Sequence, residues 1–261
     1  MRRRRAQYAQ HARYTVLWFA GLLVIAVPLV AMAQRGGFFG GGRFGLLPNV
    51  EYDGRFTVAR VRYARNNSWS ADYPTMEQHL SQMLDNITAI DTHVEGSNVH
   101  FLDDPELLKI PLAYLTEPGY WYPSESEVVG LREYLGKGGF LIVDDFHFQN
   151  EWAVFEDAIR RVLPDGQIKP LDITHPIFNS FFQIDTLKVP HPGRLGEQGL
   201  MGEFSGIYEG NDPAKRLMVV INYNIDLGDY VEWSDRDIYS LLPTNEAYKF
   251  MINYMIYGLT H

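Results

Sequence analysis

The 261-residue chain contains no cysteine. This absence excludes disulfides, thiolate nucleophiles and metal or iron–sulfur centres held by cysteine. Basic residues are also scarce, with 23 Lys and Arg against 32 Asp and Glu, a formal net charge of -9. Several of the arginines precede the first apolar run, so the rest of the chain is more acidic still. Because nucleic acid and anionic lipid are bound through basic patches, this composition argues against both as partners.

Complete catalytic motifs are missing as well. The sequence has no P-loop and no H-E-x-x-H, and residues 202–206, G-E-F-S-G, place the serine one position late for a nucleophile elbow. Glycines at 40, 42 and 45 satisfy G-x-G-x-x-G, but no strand precedes them and no amphipathic helix follows. The sequence therefore predicts no cofactor and no metal site, and leaves open whether the protein is an enzyme.

An N-terminal targeting segment is the first feature that is present. A basic head over residues 1–13 precedes an apolar run over 14–33, which ends in A-x-A, the pattern of a signal-peptidase site. Alternatively, about 20 apolar residues can span a bilayer as an uncleaved anchor whose arginines stay in the cytoplasm. Both interpretations place the rest of the chain outside the cytoplasmic membrane, in the periplasm or at the cell surface. A glycine-rich linker is predicted over residues 34–55.

Residues 56–261 are predicted to form a single α/β domain. Strand-like segments at 57–63, 94–102, 110–115, 140–143 and 216–223 alternate with amphipathic helices. Capping boxes at Thr75/Gln78 and Ser124/Glu127, Asn150 as a cap, and a start at Thr244 mark four helix beginnings. Regular alternation predicts a mostly parallel sheet with helices on both faces. Residues 169–215, rich in proline and glycine, are predicted to be irregular.

Four motifs in this order resemble a known bacterial family. They are L-A-Y-L-T-E-P-G at 112–119, L-R-E-Y-L-x-x-G-G-F-L-I-V-D-D at 131–145, T-H-P-I-F at 174–178 and R-L-M-V-V-I-N-Y-N-x-D-L-G at 216–228. Together they resemble the family known as domain of unknown function 4159, over residues 56–261. The resemblance implies a sheet like that of class I glutamine amidotransferases and trehalose-utilisation (ThuA-like) proteins. Amidotransferase chemistry needs a cysteine, which this chain lacks, so the predicted fold is flavodoxin-like or glutamine amidotransferase-like without that activity.

Polar residues follow the strand predicted at 140–143, at the edge where parallel sheets hold ligands. Alternation along a strand places Asp145 and His147 on one side and Asp144 on the other. That arrangement favours an Asp145–His147 catalytic pair over convergence of all three residues on a metal. The alternative is structural: the aspartates bind loop amides and cap the next helix, with His147 packed under Trp152.

Other candidate ligand-binding residues also follow predicted strands. Arg65 would favour an anionic ligand, whereas Glu117 and Asp226 would favour a sugar hydroxyl or a cation. Asp144 is a further candidate for ligand binding. His175 could act with Asp172, or could belong to a proline-fixed surface turn, and His191 is interpreted in the same way. Each of these residues is alternatively a loop residue making structural hydrogen bonds.

Loop aromatics suggest a binding surface, because a core does not obviously need them at these positions. They are Trp69, Tyr73, Tyr120, Trp121 and Tyr122. We therefore predict a non-catalytic cell-envelope module that binds an envelope protein or a small polar ligand. Self-association through the Tyr- and Met-rich closing helix is one form of this hypothesis, and the membrane is a partner only through an uncleaved N-terminal segment. The alternative is a hydrolase that acts on a carbohydrate or amide substrate through Asp145 and His147.

Overall fold

A computed structural model describes residues 48–64, 66–96 and 98–261. The predicted signal peptide or anchor, most of the predicted linker and the candidate ligand residue Arg65 lie outside the described residues. The described residues belong to one compact unit. Within the described ranges, no helix combines the length and the apolar character needed to cross a bilayer.

The described residues form a seven-stranded sheet. Its strands are β1 (Ala59–Val61), β2 (Asn98–His100), β3 (Leu112–Thr116), β4 (Phe140–Asp144), β5 (Lys169–Pro170), β6 (Glu203–Tyr208) and β7 (Leu217–Tyr223). Their order is β2-β1-β3-β4-β7-β6-β5. The five strands from β2 to β7 in this order run parallel, whereas β6 is antiparallel to β7 and β5 is antiparallel to β6. The predicted α/β class and the mostly parallel sheet are confirmed.

Strands β3 and β4 lie in the middle of the sheet. Apart from Thr116 and Asp144 at their carboxyl ends, their side chains are apolar on both faces. Every residue of each is buried, as expected for parallel strands that are covered above and below. Six helices are described: α1 (Thr75–Ile87), α2 (Glu125–Gly136), α3 (Phe148–Val162), α4 (Gly193–Glu197), α5 (Leu227–Glu232) and α6 (Leu241–Thr260). One hydrophobic cluster joins the sheet to α1, α5 and α6, and a second joins the opposite face to α2 and α3.

Helix starts agree with the predictions only in part. The capping box of α2 is confirmed, since the Glu127 amide donates to Ser124 Oγ at 3.2 Å and the Ser124 amide donates to Glu127 Oε2 at 2.8 Å. The box predicted at Thr75 is wrong, because Pro74 is the N-cap residue there. Helix α3 begins before Asn150, with His147 at its N-cap, and α6 begins at Leu241 instead of Thr244.

The segment predicted to be irregular contains strand β6, which the sequence pattern did not reveal. Gly206 lies in the middle of this strand, and glycine weakens a strand signal. A Cβ at Gly206 would lie 2.4 Å from Leu217 Cδ1 and 2.9 Å from Val219 O. The close approach of β7 therefore requires glycine at position 206, and the same glycine weakens the strand pattern in the sequence.

Several aromatic side chains assigned to a binding surface belong to the core. Trp69 and Trp121 are 5% and 0% exposed, whereas Tyr120 and Tyr122 are 45% and 46% exposed. The tyrosines and methionines of α6 are mostly buried as well, including Tyr254, Tyr257, Met251 and Met255. Most of the Tyr and Met side chains of the closing helix α6 thus pack in the core against the sheet.

Candidate functional site

The carboxyl ends of the central strands meet at one edge of the sheet. Thr116 pairs with Asp144 across β3 and β4, and Val143 pairs with Ile221 across β4 and β7. Residues directly after these strands therefore lie side by side, which brings Glu117, Asp145 and Asp226 to the same edge. The sequence-based placement of these carboxylates at one edge agrees with the structure.

Two further elements add carboxylates to this edge. Asp72 comes from the loop after β1, and Asp229 and Glu232 come from α5. One oxygen each from Asp72, Asp145 and Asp226 lie within 4.8 Å of one another, and the same holds for Asp72, Asp229 and Glu232. We call the following six residues the acidic edge: Asp72, Asp144, Asp145, Asp226, Asp229 and Glu232.

Asp144 joins strand β4 to helix α5. Its carboxylate is fully buried. Its Oδ2 accepts hydrogen bonds from Tyr114 Oη at 2.7 Å and from the amides of Leu227 and Gly228 at 2.9 and 3.0 Å. Asp226 caps the same helix, since its Oδ1 accepts from the Asp229 amide at 2.7 Å. These contacts match the structural alternative for Asp144 and fix the direction of α5.

Asp72 faces another acid instead, since its side chain lies within hydrogen-bond range of Glu232. Its Oδ2 is buried and accepts no hydrogen bond from the described residues. A Cβ at Gly228 would lie 2.6 Å from this oxygen, so the carboxylate fits against α5 only because residue 228 is glycine. Buried Arg60 interacts with Asp72 electrostatically, but its Nε donates to Glu77 Oε1 at 2.6 Å. That ion pair already neutralises the guanidinium charge.

Burial and mutual repulsion raise the pKa values of Asp72, Asp145 and Asp226 at the acidic edge. Desolvation is the largest cause for Asp72, Asp145 and Asp226, and neighbouring carboxylates add to it. Burial also raises the pKa of Asp144 to about 6, against the opposing hydrogen bond from Tyr114. Carboxylates this close cannot all be ionised without compensation, so the site needs protons, a cation or a ligand that supplies positive charge or hydrogen-bond donors.

The backbone at this edge is also unusual. Asp72, Glu117, Asp145, Phe148 and Asn224 have left-handed φ values of 62°, 45°, 58°, 60° and 60°. Left-handed conformations are uncommon for residues other than glycine, and such strain tends to gather at functional sites. At Asp145 this conformation ends the side-to-side alternation on which the predicted Asp145–His147 pair relied.

His147 bonds to another acid. Its amide donates to Glu151 Oε2 at 2.7 Å, and its Nδ1 lies 3.6 Å from the same oxygen. Among the described residues, no hydrogen bond joins His147 to Asp145. Trp152 stacks on Phe146, while the His147 ring packs edge-on against Phe148 and His191, with centroids 4.7 and 5.4 Å apart. A catalytic role for Asp145 and His147 stays a prediction.

The other histidines differ in their surroundings. His191 Nε2 is buried without a partner, and burial lowers the pKa of this histidine. His175 Nδ1 accepts from the Ile177 amide at 3.2 Å and caps a short 3-10 turn. Asp172 instead holds the amide and hydroxyl of Thr174. The contacts of His175 fit the proline-fixed turn.

The sequence model of a family described as Domain of unknown function (DUF4159) matches residues 57–259. The chain belongs to this family. No curated protein matches the chain. The matched range includes every residue of the acidic edge, so the site lies within the DUF4159 domain itself. The relation to glutamine amidotransferases stays a prediction.

The sequence pattern did not identify Asp72, Asp229 and Glu232 of this DUF4159 domain as candidate site residues. Asp229 and Glu232 follow the candidate Asp226 at intervals of three, a spacing that places side chains near each other on a helix. That spacing was a usable signal. Asp72 gave a weaker one, because only its position in a loop after a parallel strand connects it to this edge.

Proposed function

We propose that this DUF4159 domain is a non-catalytic binding module of the cell envelope that holds a small polar ligand at the acidic edge. The proposal rests on the convergence of Asp72, Asp145 and Asp226, together with the buried Oδ2 of Asp72, which accepts no hydrogen bond from the described residues. Ionised carboxylates only accept hydrogen bonds. The complementary ligand therefore carries hydroxyl or amine donors, or positive charge.

The envelope location is supported by the N-terminal sequence pattern. A basic head, an apolar run and an A-x-A site together are typical of an exported protein. The absence of cysteine is compatible with that compartment but does not require it. Fractionation of cells into cytoplasm, membrane and periplasm, with mass spectrometry of the mature N-terminus, tests this part of the proposal.

Binding is tested by calorimetric titration of the full chain with neutral saccharides, polyamines and amino-acid amides. A ligand at the acidic edge is expected to lose about tenfold or more in affinity in Asp145→Asn, because a hydrogen bond to a charged group is removed. Asp85→Asn, an exposed change on α1, is the matched control and should bind normally. The proposal fails if no compound binds, or if Asp145→Asn and Asp226→Asn both bind like the wild type.

A hydrolase is the second candidate, and one observation favours it. Asp145 is partly exposed and its pKa is raised by burial and by the Glu117 charge. A raised pKa is the property that suits a carboxyl group to act as a general acid. Chromogenic glycoside and amide substrates test this reading. Turnover that disappears in Asp145→Asn while substrate binding persists would replace the binding module with an enzyme.

A further inference from the structure

We infer that the acidic edge binds one hard divalent cation through Asp72, Asp145 and Asp226. This inference rests on the proposed function, since it names the chemistry of what binds at the same edge. Small side-chain adjustments can bring oxygen atoms that lie within 4.8 Å of one another to about 2.3–2.6 Å from a central ion, the distance that Ca²⁺ prefers. The three carboxylates come from three separate loops, after β1, β4 and β7.

A buried oxygen without a partner points independently to a missing ligand. Asp72 Oδ2 has lost contact with water and receives no hydrogen bond from the described residues. An unpaired charged group in this position is costly. The absence of a side chain at Gly228 admits the Asp72 carboxylate to this position, and a bound cation would complete its coordination.

The charge balance at this edge also calls for a cation. Arg60 forms its ion pair with Glu77, and its Nη1 donates to Ala71 O at 2.8 Å. Three ionised carboxylates then carry three negative charges that the described residues do not neutralise. A divalent ion offsets two of them, and Asp229, whose amide donates to Asp226 Oδ1 at 2.7 Å, helps to orient the Asp226 ligand.

The donor set selects the class of ion. It consists of carboxylate oxygens, which suit Mg²⁺, Ca²⁺ and Mn²⁺, whereas Zn²⁺ and Cu²⁺ favour sites with imidazole or thiolate. Asp145 is partly exposed, while Asp226 is buried. The Asp145 side of the ion thus faces solvent, where hydroxyl groups of a polar ligand can complete its coordination.

The test is calorimetric titration of the full chain, stripped with EDTA, with CaCl₂, MgCl₂ and MnCl₂ in separate experiments. At least one ion is expected to bind with one-to-one stoichiometry. Asp72→Asn and Asp145→Asn are each expected to lower its affinity about 10–100-fold or more, as loss of a supporting residue already does in other metal sites. Asp85→Asn should bind like the wild type. Thermal unfolding in EDTA identifies variants that fail to fold, and folded Asp145→Asn then decides the result.

Two outcomes overturn the inference. In the first, none of the three ions binds or raises the unfolding temperature, which means that shared protons neutralise the edge. In the second, an ion binds but Asp72→Asn and Asp145→Asn leave its affinity unchanged. Titrating the organic ligands in excess EDTA separates this inference from the proposed function: binding that persists without cations supports the binding module and removes the cation from it.

Discussion

Two acidic regions of the domain differ in whether their carboxylates are paired with basic side chains. Beside the edge strand β2, Asp53 accepts from Arg55 Nη2 at 2.7 Å and lies 2.9 Å from His93 Nε2, and Asp104 lies 2.8 Å from His100 Nδ1. The hydrogen bonds from Arg55 lower the pKa of Asp53. At the acidic edge the pKa values of Asp72, Asp145 and Asp226 are raised instead. The acids of the first region are paired within the fold, whereas those of the second have no ion-pair partner among the described residues, and for this reason we propose the second region as the binding site.

The largest effect is expected from removing the cation of the buried ion pair near the acidic edge. Arg60→Met leaves Glu77 buried and unpaired, which costs about 3–5 kcal/mol. Both side chains are almost completely buried. Urea unfolding measures this loss. Arg55→Met, in an exposed pair, is the control and should leave the midpoint unchanged. An equal loss of stability in Arg60→Met and Arg55→Met would show that burial does not decide how much each ion pair contributes.

Stability should fall with rising pH in the absence of cations. Asp144 keeps its proton in the folded state to a higher pH than in the unfolded chain, so its contribution to stability is complete below about pH 4 and is lost as the pH rises through about 6. The raised pKa values of Asp72, Asp145 and Asp226 act in the same direction. Asp144 alone accounts for about 3 kcal/mol of this loss. Asp53 and Asp104 act in the opposite direction, since their lowered pKa values stabilise the fold above about pH 4.

Thermal unfolding over a pH series in EDTA tests this difference. Asp145→Asn should flatten the fall, and a bound divalent cation should remove most of it. A stability that rises steadily from about pH 4 to about pH 7 would mean that paired acids dominate the whole protein.

A smaller loss is expected where the backbone makes room for Asp72. In Gly228→Ala the new Cβ would lie 2.6 Å from Asp72 Oδ2 and 2.7 Å from Tyr114 Oη, and overpacking of this kind costs about 1–3 kcal/mol. Gly136→Ala is the control, because nothing lies within 4 Å of its Cβ. That change should be neutral or stabilise helix α2 by up to about 1 kcal/mol. Chemical unfolding compares the two variants.

The smallest effect is expected in the region where charge is already paired. Asp104→Asn removes the ion pair with His100 from a side chain that is 35% exposed, so the loss should be at most about 1 kcal/mol. Cation affinity in the same variant should equal that of the wild type. A fall in cation affinity would place the binding site beside β2 and reverse the comparison.

The sequence predicts the frame of this domain better than its chemistry. Continuous apolar runs such as residues 140–143 reveal the buried parallel strands, and parallel strands bring Asp145 and Asp226 to one edge by topology alone. The expectation for His147 failed to foresee its contact with Glu151, because alternation assumes an extended backbone and Asp145 is left-handed. Asp72 escaped notice because its proximity depends on tertiary packing against Gly228.

Anomalous diffraction from crystals of the protein grown with MnCl₂ shows directly whether these three carboxylates hold a cation. One anomalous peak is expected between the carboxylates of Asp72, Asp145 and Asp226, about 2.1–2.5 Å from one oxygen of each. The same peak should be absent from Asp145→Asn crystals. Clear density for these carboxylates with no peak between them, or with manganese bound elsewhere, would contradict the account.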